Sequence, residues 1–316
     1  MSPQDPAFRH EALLYTGRDQ FVGSVVPFLR EGLAAGDTTA VLLEADKIAL
    51  LQEALGDDAD RVHFTDTAEV GRNPARLIPW WRRFVDQHLR TDRPVRAVGQ
   101  PGLAGRSSAE LDEYFAHESL LNVAFADDPP WSLLCPYDAE ILTAEVLAEF
   151  RRSHPYVVDD GRPGPNSDYR PTTAPVWLDR PLPPPPADAR QIEFERHRGA
   201  LRRTRDAVRA HAHTAGLDDT ATDHLILAAD ELVSNSLSHG GGAGRIRLWT
   251  DGGAVVCEIS DTGGPLSGQP LLGRQLPGLN GPGGRGLWLV NQLCDLVQIR
   301  SSPAGTSVRL HMWPTG

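Results

Sequence analysis

Two rhythms of apolar and polar residues divide this chain. In the first half, short apolar runs alternate with segments of helical spacing. The runs Ala12 to Tyr15, Thr39 to Leu43, Val62 to Thr65, Val95 to Gly99 and Trp131 to Cys135 predict strands. Phe21 to Leu33, Lys47 to Leu55, Ala75 to Leu89, Ala109 to Phe125 and Glu140 to Arg152 predict helices. Alternating strands and helices predict a mostly parallel sheet covered on both faces.

The second half follows a different rhythm. Gln191 to Glu195 reads as a short strand and Arg196 to Ala215 as a basic amphipathic helix. Asp218 or Asp219 caps a further helix that runs to about His239 and stops at three glycines from Gly240. Strands follow at Arg245 to Thr250 and Ala254 to Ser260, joined by Asp251, Gly252 and Gly253, a hairpin signal. After a loop rich in proline and glycine come a helix, Leu287 to Cys294, and a second hairpin, Leu296 to Ser301 with Thr306 to Met312. Helices over an antiparallel-rich sheet predict an α+β sandwich. Between the halves, prolines accumulate from about 159 to 189 and culminate in the run Pro183 to Pro186. Such a segment is extended and semi-rigid, so it reads as a linker. The expected organisation is an α/β domain over 1–158, a linker over 159–189 and an α+β domain over 190–316.

Composition narrows the function classes. The 316 residues carry a formal net charge of -11, which argues against direct binding to nucleic acid or to a membrane surface. The three cysteines are far apart, and no apolar run approaches the roughly 18 residues of a membrane helix. A cytoplasmic protein with reduced thiols is the expectation. Lys47 is the only lysine and lies outside any Gly-Lys-Ser/Thr context, which excludes a working P-loop and the strand lysine of a protein-kinase fold.

The chemistry concentrates in the second half. Glu231 and Asn235 are four residues apart and share one face of their helix, beside the core stripe Leu225, Ala229, Leu232 and Ser236. A carboxamide there can hold a metal–phosphate unit, and a carboxylate can take a proton. Asp261 ends a strand, where it can accept a hydrogen bond from an exocyclic amine, and Gly263 lets the backbone pass close to a flat base. Gly284, Arg285 and Gly286 open a helix whose amides and dipole suit phosphates.

In this order the three pieces resemble the histidine-kinase-like ATPase superfamily, over about Ala189 to Trp313. Glu231 and Asn235 match its N box, Asp261 and Gly263 its G1 box, Gly284 and Gly286 its G2 box, and Gly305-Thr306 its late Gly-Thr segment. The wording from Glu231 to Gly240 is similar to serine-kinase anti-sigma factors of the RsbW kind. That resemblance implies ATP and Mg2+ as cofactors, with Asn235 as the metal ligand, Asp261 reading adenine and Glu231 as base for a serine hydroxyl. Gly284, Arg285 and Gly286 would line the phosphates, with Thr306 in the cofactor site. It further implies a sigma factor and an anti-sigma factor antagonist as partners, and a homodimer. Pro265 departs from the G1 pattern, and with Pro270, Pro277 and Pro282 it stiffens the lid. Two alternatives stay open. A sensor histidine kinase would need a phosphoacceptor such as His197 on a dimerising helix pair, and a non-catalytic ATP-dependent binding module would need no transfer chemistry.

Residues from about Phe8 to Tyr156 resemble the MEDS sensory domain, on the stretches Arg9 to Tyr15, Leu133 to Asp138 and His154-Pro155. The resemblance implies a RecA/KaiC-like parallel-sheet fold without a P-loop and a small-molecule signal. The loop from Gly99 to Ser108, at a strand C-terminus, is the expected pocket. His10, Cys135, Asp138 and His154 carry ligand atoms, but their spacing fits no standard zinc pattern. Cys135 at the end of an apolar strand reads as a buried small hydrophobe.

Overall fold

The computed structural model describes residues 8–89, 93–100, 102–159, 161–171, 180–197, 199–264, 266, 271–275 and 285–314. The chain divides into two compact units, 1–172 and 173–316.

The first unit is a seven-stranded sheet in the order β3-β2-β4-β5-β1-β6-β7. Its strands are β1 (Phe8–Tyr15), β2 (Thr38–Leu43), β3 (Val62–Asp66), β4 (Val95–Gly99), β5 (Trp131–Asp138), β6 (Tyr156–Asp159) and β7 (Arg162–Pro165). Pairing is parallel except between β6 and β7. The central strands are apolar along nearly their whole length because helices cover both faces. One face packs on α1 (Gly17–Ala35) and α2 (Ala45–Leu55) through Leu13, Phe21, Val25, Leu29, Val41 and Leu51. A short helix, α3 (Thr67–Val70), follows β3. The remaining helices are α4 (Leu77–Leu89), α5 (Ser108–Ala124) and α6 (Ala144–Ser153). Helix α5 starts on a capping box: Ser107 accepts from the Glu110 amide while Glu110 reaches back to the Ser107 amide. It buries Glu110, Glu113, His117 and Glu118, so its inner face is far more polar than an ordinary core helix.

The segment expected to open the linker is partly folded. Strand β7 extends the sheet, and Asn166 ties the following turn to the end of α6 by donating to the carbonyls of Arg151 and His154 at 2.6 and 2.8 Å. Proline is tolerated in β7 because that strand is at the sheet edge.

The second unit is a five-stranded antiparallel sheet in the order β11-β12-β10-β9-β8. The strands are β8 (Arg190–Glu195), β9 (Ala243–Asp251), β10 (Ala254–Asp261), β11 (Leu296–Ser302) and β12 (Gly305–Met312). Its helices are α7 (Ala200–Thr214), α8 (Asp219–Ser238) and α9 (Arg285–Leu293). Gly252 and Gly253 both take positive φ in the β9–β10 turn, as the sequence requires. The core lies between the sheet and the helices, through Val208, Leu225, Ala229, Val233, Ile246, Cys257, Val290 and Leu310. A parallel-sheet unit followed by an antiparallel sheet with helices agrees with the expected α/β and α+β classes. None of the described helices is long and apolar enough to cross a membrane.

Candidate functional site

Helix α8 is set by its cap and its stripe. The Asp218 carboxylate accepts from the Ala221 amide at 2.7 Å, and Leu225, Ala229, Leu232 and Ser236 are buried against the sheet. That rotation leaves Glu231 and Asn235 half-buried at the edge of the stripe. The Asn235 amide donates to Glu231 Oε1 at 3.1 Å. Because its nitrogen faces the carboxylate, the Asn235 carbonyl oxygen is the atom left to meet a ligand.

Across from α8, strand β10 delivers Asp261 at its last position, in register with Gly244 on β9 and Thr306 on β12. Two donors hold the carboxylate. The Ser236 hydroxyl donates to Oδ2 at 2.5 Å, and the Gly263 amide donates to Oδ1 at 2.9 Å. The backbone crowds round this group. A Cβ at Gly240 would lie 2.5 Å from the Asp261 carboxyl carbon, and one at Gly305 would lie 2.0 Å from its backbone oxygen. Gly305 also has φ of 135°, which L side chains rarely adopt.

The N-terminus of α9 closes the third side. Gly286 packs so tightly on Glu231 that a Cβ there would sit 2.0 Å from Oε1. Asn291 anchors the preceding loop by donating to the Gly273 carbonyl at 3.0 Å. Every expected site residue that is described lines one cavity of about 590 Å3: Glu231, Asn235, Asp261, Gly263, Arg285, Gly286 and Thr306. Leu232, Ile259 and Val308 give it an apolar floor. Gly284 lies outside the described residues, as do Pro265, Pro270, Pro277 and Pro282. The cavity thus brings together a carboxylate acceptor, an apolar lining, a carboxamide, a second carboxylate and a helix N-terminus.

Sequence reasoning overlooked Ser236, taken there as core, and Gly240, taken as a helix stop. A hydroxyl on an otherwise apolar stripe was the available signal, since buried polar groups are paired. His197 lies in a bend between β8 and α7, not on a helix.

In the first unit the loop after β4 borders a cavity of about 610 Å3, lined also by Glu44, Asp66, Arg72 and Tyr114. Beneath it, burial alone would raise the Glu110 carboxyl. Bonds from Arg72, Ser107 and Arg106 instead hold it down to about 2. Lys47 donates to Gln100 at 2.9 Å, so the lone lysine braces the end of β4.

Three of the four residues whose spacing fits no standard zinc pattern nevertheless meet elsewhere in this unit. His10, Cys135 and His154 cluster with Glu118, all fully buried, with one ligand atom from each inside 4.8 Å of the others. Asp138 is not in the cluster; it accepts from the Glu140 amide at 2.9 Å. Burial pushes both imidazoles down to about 3 and Glu118 up to about 7. Glu118 was missed because four scattered positions, on two strands, one helix and the residue after another helix, leave no spacing to read.

Residues 9–155 match the family described as the methanogen/methylotroph, DcmR sensory domain (MEDS), and residues 194–312 match the histidine kinase-like ATPase domain. The first segment is thus similar to MEDS sensory domains and the second to histidine-kinase-like ATPase domains, as both resemblances imply. No curated protein matches the chain. A crystal structure of RsbU and RsbW domains from Mycobacterium tuberculosis matches at 19% identity and a TM-score of 0.31, over 40% of this chain and 32% of that one. The chain therefore spans about a third of that protein, and the likeness carries no argument about function.

Proposed function

We propose that the second unit binds ATP with Mg2+ and acts as an anti-sigma factor serine/threonine kinase, under control of a sensory first unit. One observation carries the ATP reading: Asp261 and the Glu231–Asn235 pair line one cavity, with the α9 N-terminus against Glu231. Asp261, held by Ser236 and Gly263, keeps an acceptor for the exocyclic amine of adenine. The apolar floor suits a flat base. The residues also fit a metal–phosphate unit. Asn235 keeps a carbonyl oxygen of the hard type that Mg2+ takes, and Gly286 leaves the room that a Cβ would fill. Bound Mg2+ would neutralise phosphate charge. Glu231 stands beside that position, as a base for a serine hydroxyl must.

The reading extends to partners by resemblance. An antagonist protein would supply the serine, a sigma factor would be held in exchange, and two copies of the chain would form a dimer. The strand order of the first unit, with only its last strand antiparallel, supports a RecA/KaiC-like reading, and the cavity beside Gly102 and Arg106 is the place for a small-molecule signal. The bend that holds His197 disfavours the sensor histidine kinase, which needs its acceptor on a helix.

Radiolabelled ATP tests the proposal with the full chain and a candidate antagonist. Label on an antagonist serine is the expected result. Acid-labile label on the chain itself would mark a histidine kinase. ATP binding without transfer would leave a binding module.

A further inference from the structure

We propose that His10, Glu118, Cys135 and His154 form a closed four-ligand centre for a divalent transition metal, Zn2+, inside the first unit. The fold brings them together from three directions. His10 on β1 and Cys135 on β5 lie on one face of the sheet, since Ala12 pairs with Cys135 and His10 lies two residues before Ala12. Glu118 comes from α5, and His154 from the residue after α6.

The distances approach those of a coordination shell, with all four ligand atoms within 4.8 Å of one another. Metal–ligand bonds of about 2.0–2.3 Å at tetrahedral angles put neighbouring ligand atoms about 3.3–3.8 Å apart. Here His10 Nε2 lies 3.2 Å from Glu118 Oε2 and 3.4 Å from Cys135 Sγ. Glu118 Oε2 lies 3.5 Å from His154 Nε2 and 3.9 Å from Cys135 Sγ.

The surrounding bonds fix which atoms face the centre. His154 Nδ1 lies 2.6 Å from the Phe150 carbonyl, which only accepts, so that nitrogen carries the proton. His10 Nδ1 lies 3.2 Å from Asn122 Oδ1. The orientation of that amide is set by its nitrogen, which donates to the Ser153 carbonyl at 2.7 Å. His10 Nδ1 therefore donates as well. Both Nε2 lone pairs point inward, each ring held by an outer carbonyl oxygen, as metal-bound imidazoles are. The Tyr137 hydroxyl also faces the cluster, hydrogen-bonded to Glu118 and Cys135 and 3.5 Å from His154 Nε2.

Charge agrees. Thiolate and carboxylate together carry two negative charges, so a divalent cation makes the centre neutral, as a fully buried site requires. A sulfur, two imidazoles and one carboxylate suit zinc over calcium or magnesium. With four protein ligands and no open position, the centre is structural: it ties β1, β5, α5 and the end of α6 to one atom.

The alternative is a neutral hydrogen-bonded cluster with protons in place of the ion. Cobalt separates the two. The full chain, stripped with chelator and titrated with Co2+, is expected to take one ion per chain and show a thiolate-to-cobalt charge-transfer band with the strong visible bands of a tetrahedral site. Zn2+ should displace it. Cys135→Ser should abolish the charge-transfer band while Cys257 and Cys294 remain. Should that variant unfold, Asn122→Ala leaves all four ligand atoms in place and should weaken cobalt binding about 10- to 100-fold. Absence of stoichiometric Co2+ with a thiolate band in the wild type overturns the proposal, as does an unchanged band in Cys135→Ser or unchanged affinity in Asn122→Ala.

Discussion

Replacing Asp261 with asparagine changes one atom and tests how the cavity reads its ligand. In the native protein Oδ1 accepts the Gly263 amide at 2.9 Å and Oδ2 accepts the Ser236 hydroxyl at 2.5 Å. The Gly263 N–H is a fixed donor, so the asparagine oxygen must take the Oδ1 place. Its NH2 then takes the Oδ2 place, where the Ser236 hydroxyl rotates to accept. Both internal bonds survive, and the fold should too. What is lost is the negative charge and the remaining acceptor at that second atom. An adenine amine arriving there meets a donor. A hydrogen bond to a charged group contributes about 1.5–3 kcal/mol, and 1.4 kcal/mol is tenfold in affinity. ATP binding should therefore weaken about 10- to 150-fold. Calorimetric titration of the full chain measures this, with thermal melts of both proteins as a control. Affinity within twofold of the native protein, at an unchanged melting temperature, would refute the assignment of Asp261.

Three further substitutions probe Glu231, Gly286 and Glu110. Glu231→Gln keeps the contact with Asn235 and should leave ATP affinity within a few-fold, while transfer to a serine falls about 10²- to 10⁴-fold; undiminished transfer shows that Glu231 is not the base. Gly286→Ala introduces a Cβ 2.0 Å from Glu231 Oε1, so the carboxylate must swing away and transfer should fall more than affinity; equal rates in the two proteins contradict this. In the first unit, Glu110 is held near pKa 2 in the fold, against 4.5 ordinarily. A depressed folded pKa stabilises above the unfolded value and loses that contribution as pH falls through the folded one. Glu110→Gln should thus be less stable than the native protein at neutral pH, with the gap closing between about pH 4.5 and 2 in denaturant melts; a gap independent of pH argues against the arginine clamp.

Much of the fold was legible because local pattern and tertiary context agree. The runs at Thr39 to Leu43 and Val95 to Gly99 are buried on both faces, and the Gly252-Gly253 turn has one favoured geometry. The hairpin of β6 and β7 was not legible, because Pro163 and Pro165 read as linker and only the edge position makes them acceptable. The candidate ATP site was legible in its motif residues, which lie close in sequence or at element ends. Its supports were not. Ser236 differs from an ordinary core residue only through a partner 25 positions away, and Gly240 through its contact with Asp261. The buried cluster in the first unit is the extreme case. His10 and Cys135 meet through strand pairing across 125 positions, and Glu118 joins from a helix whose polar inner face resembles a solvated one in sequence.

We propose that the cavity lined by α8 and the end of β10 binds ATP through Asn235. Equilibrium titration of ATP in the presence of Mg2+, into the native chain and into Asn235→Ala, tests it most directly. One ATP per native chain, and no measurable binding to the variant at the same concentrations, is the expected result. The same affinity in both proteins would rule out Asn235 as the residue that holds the nucleotide.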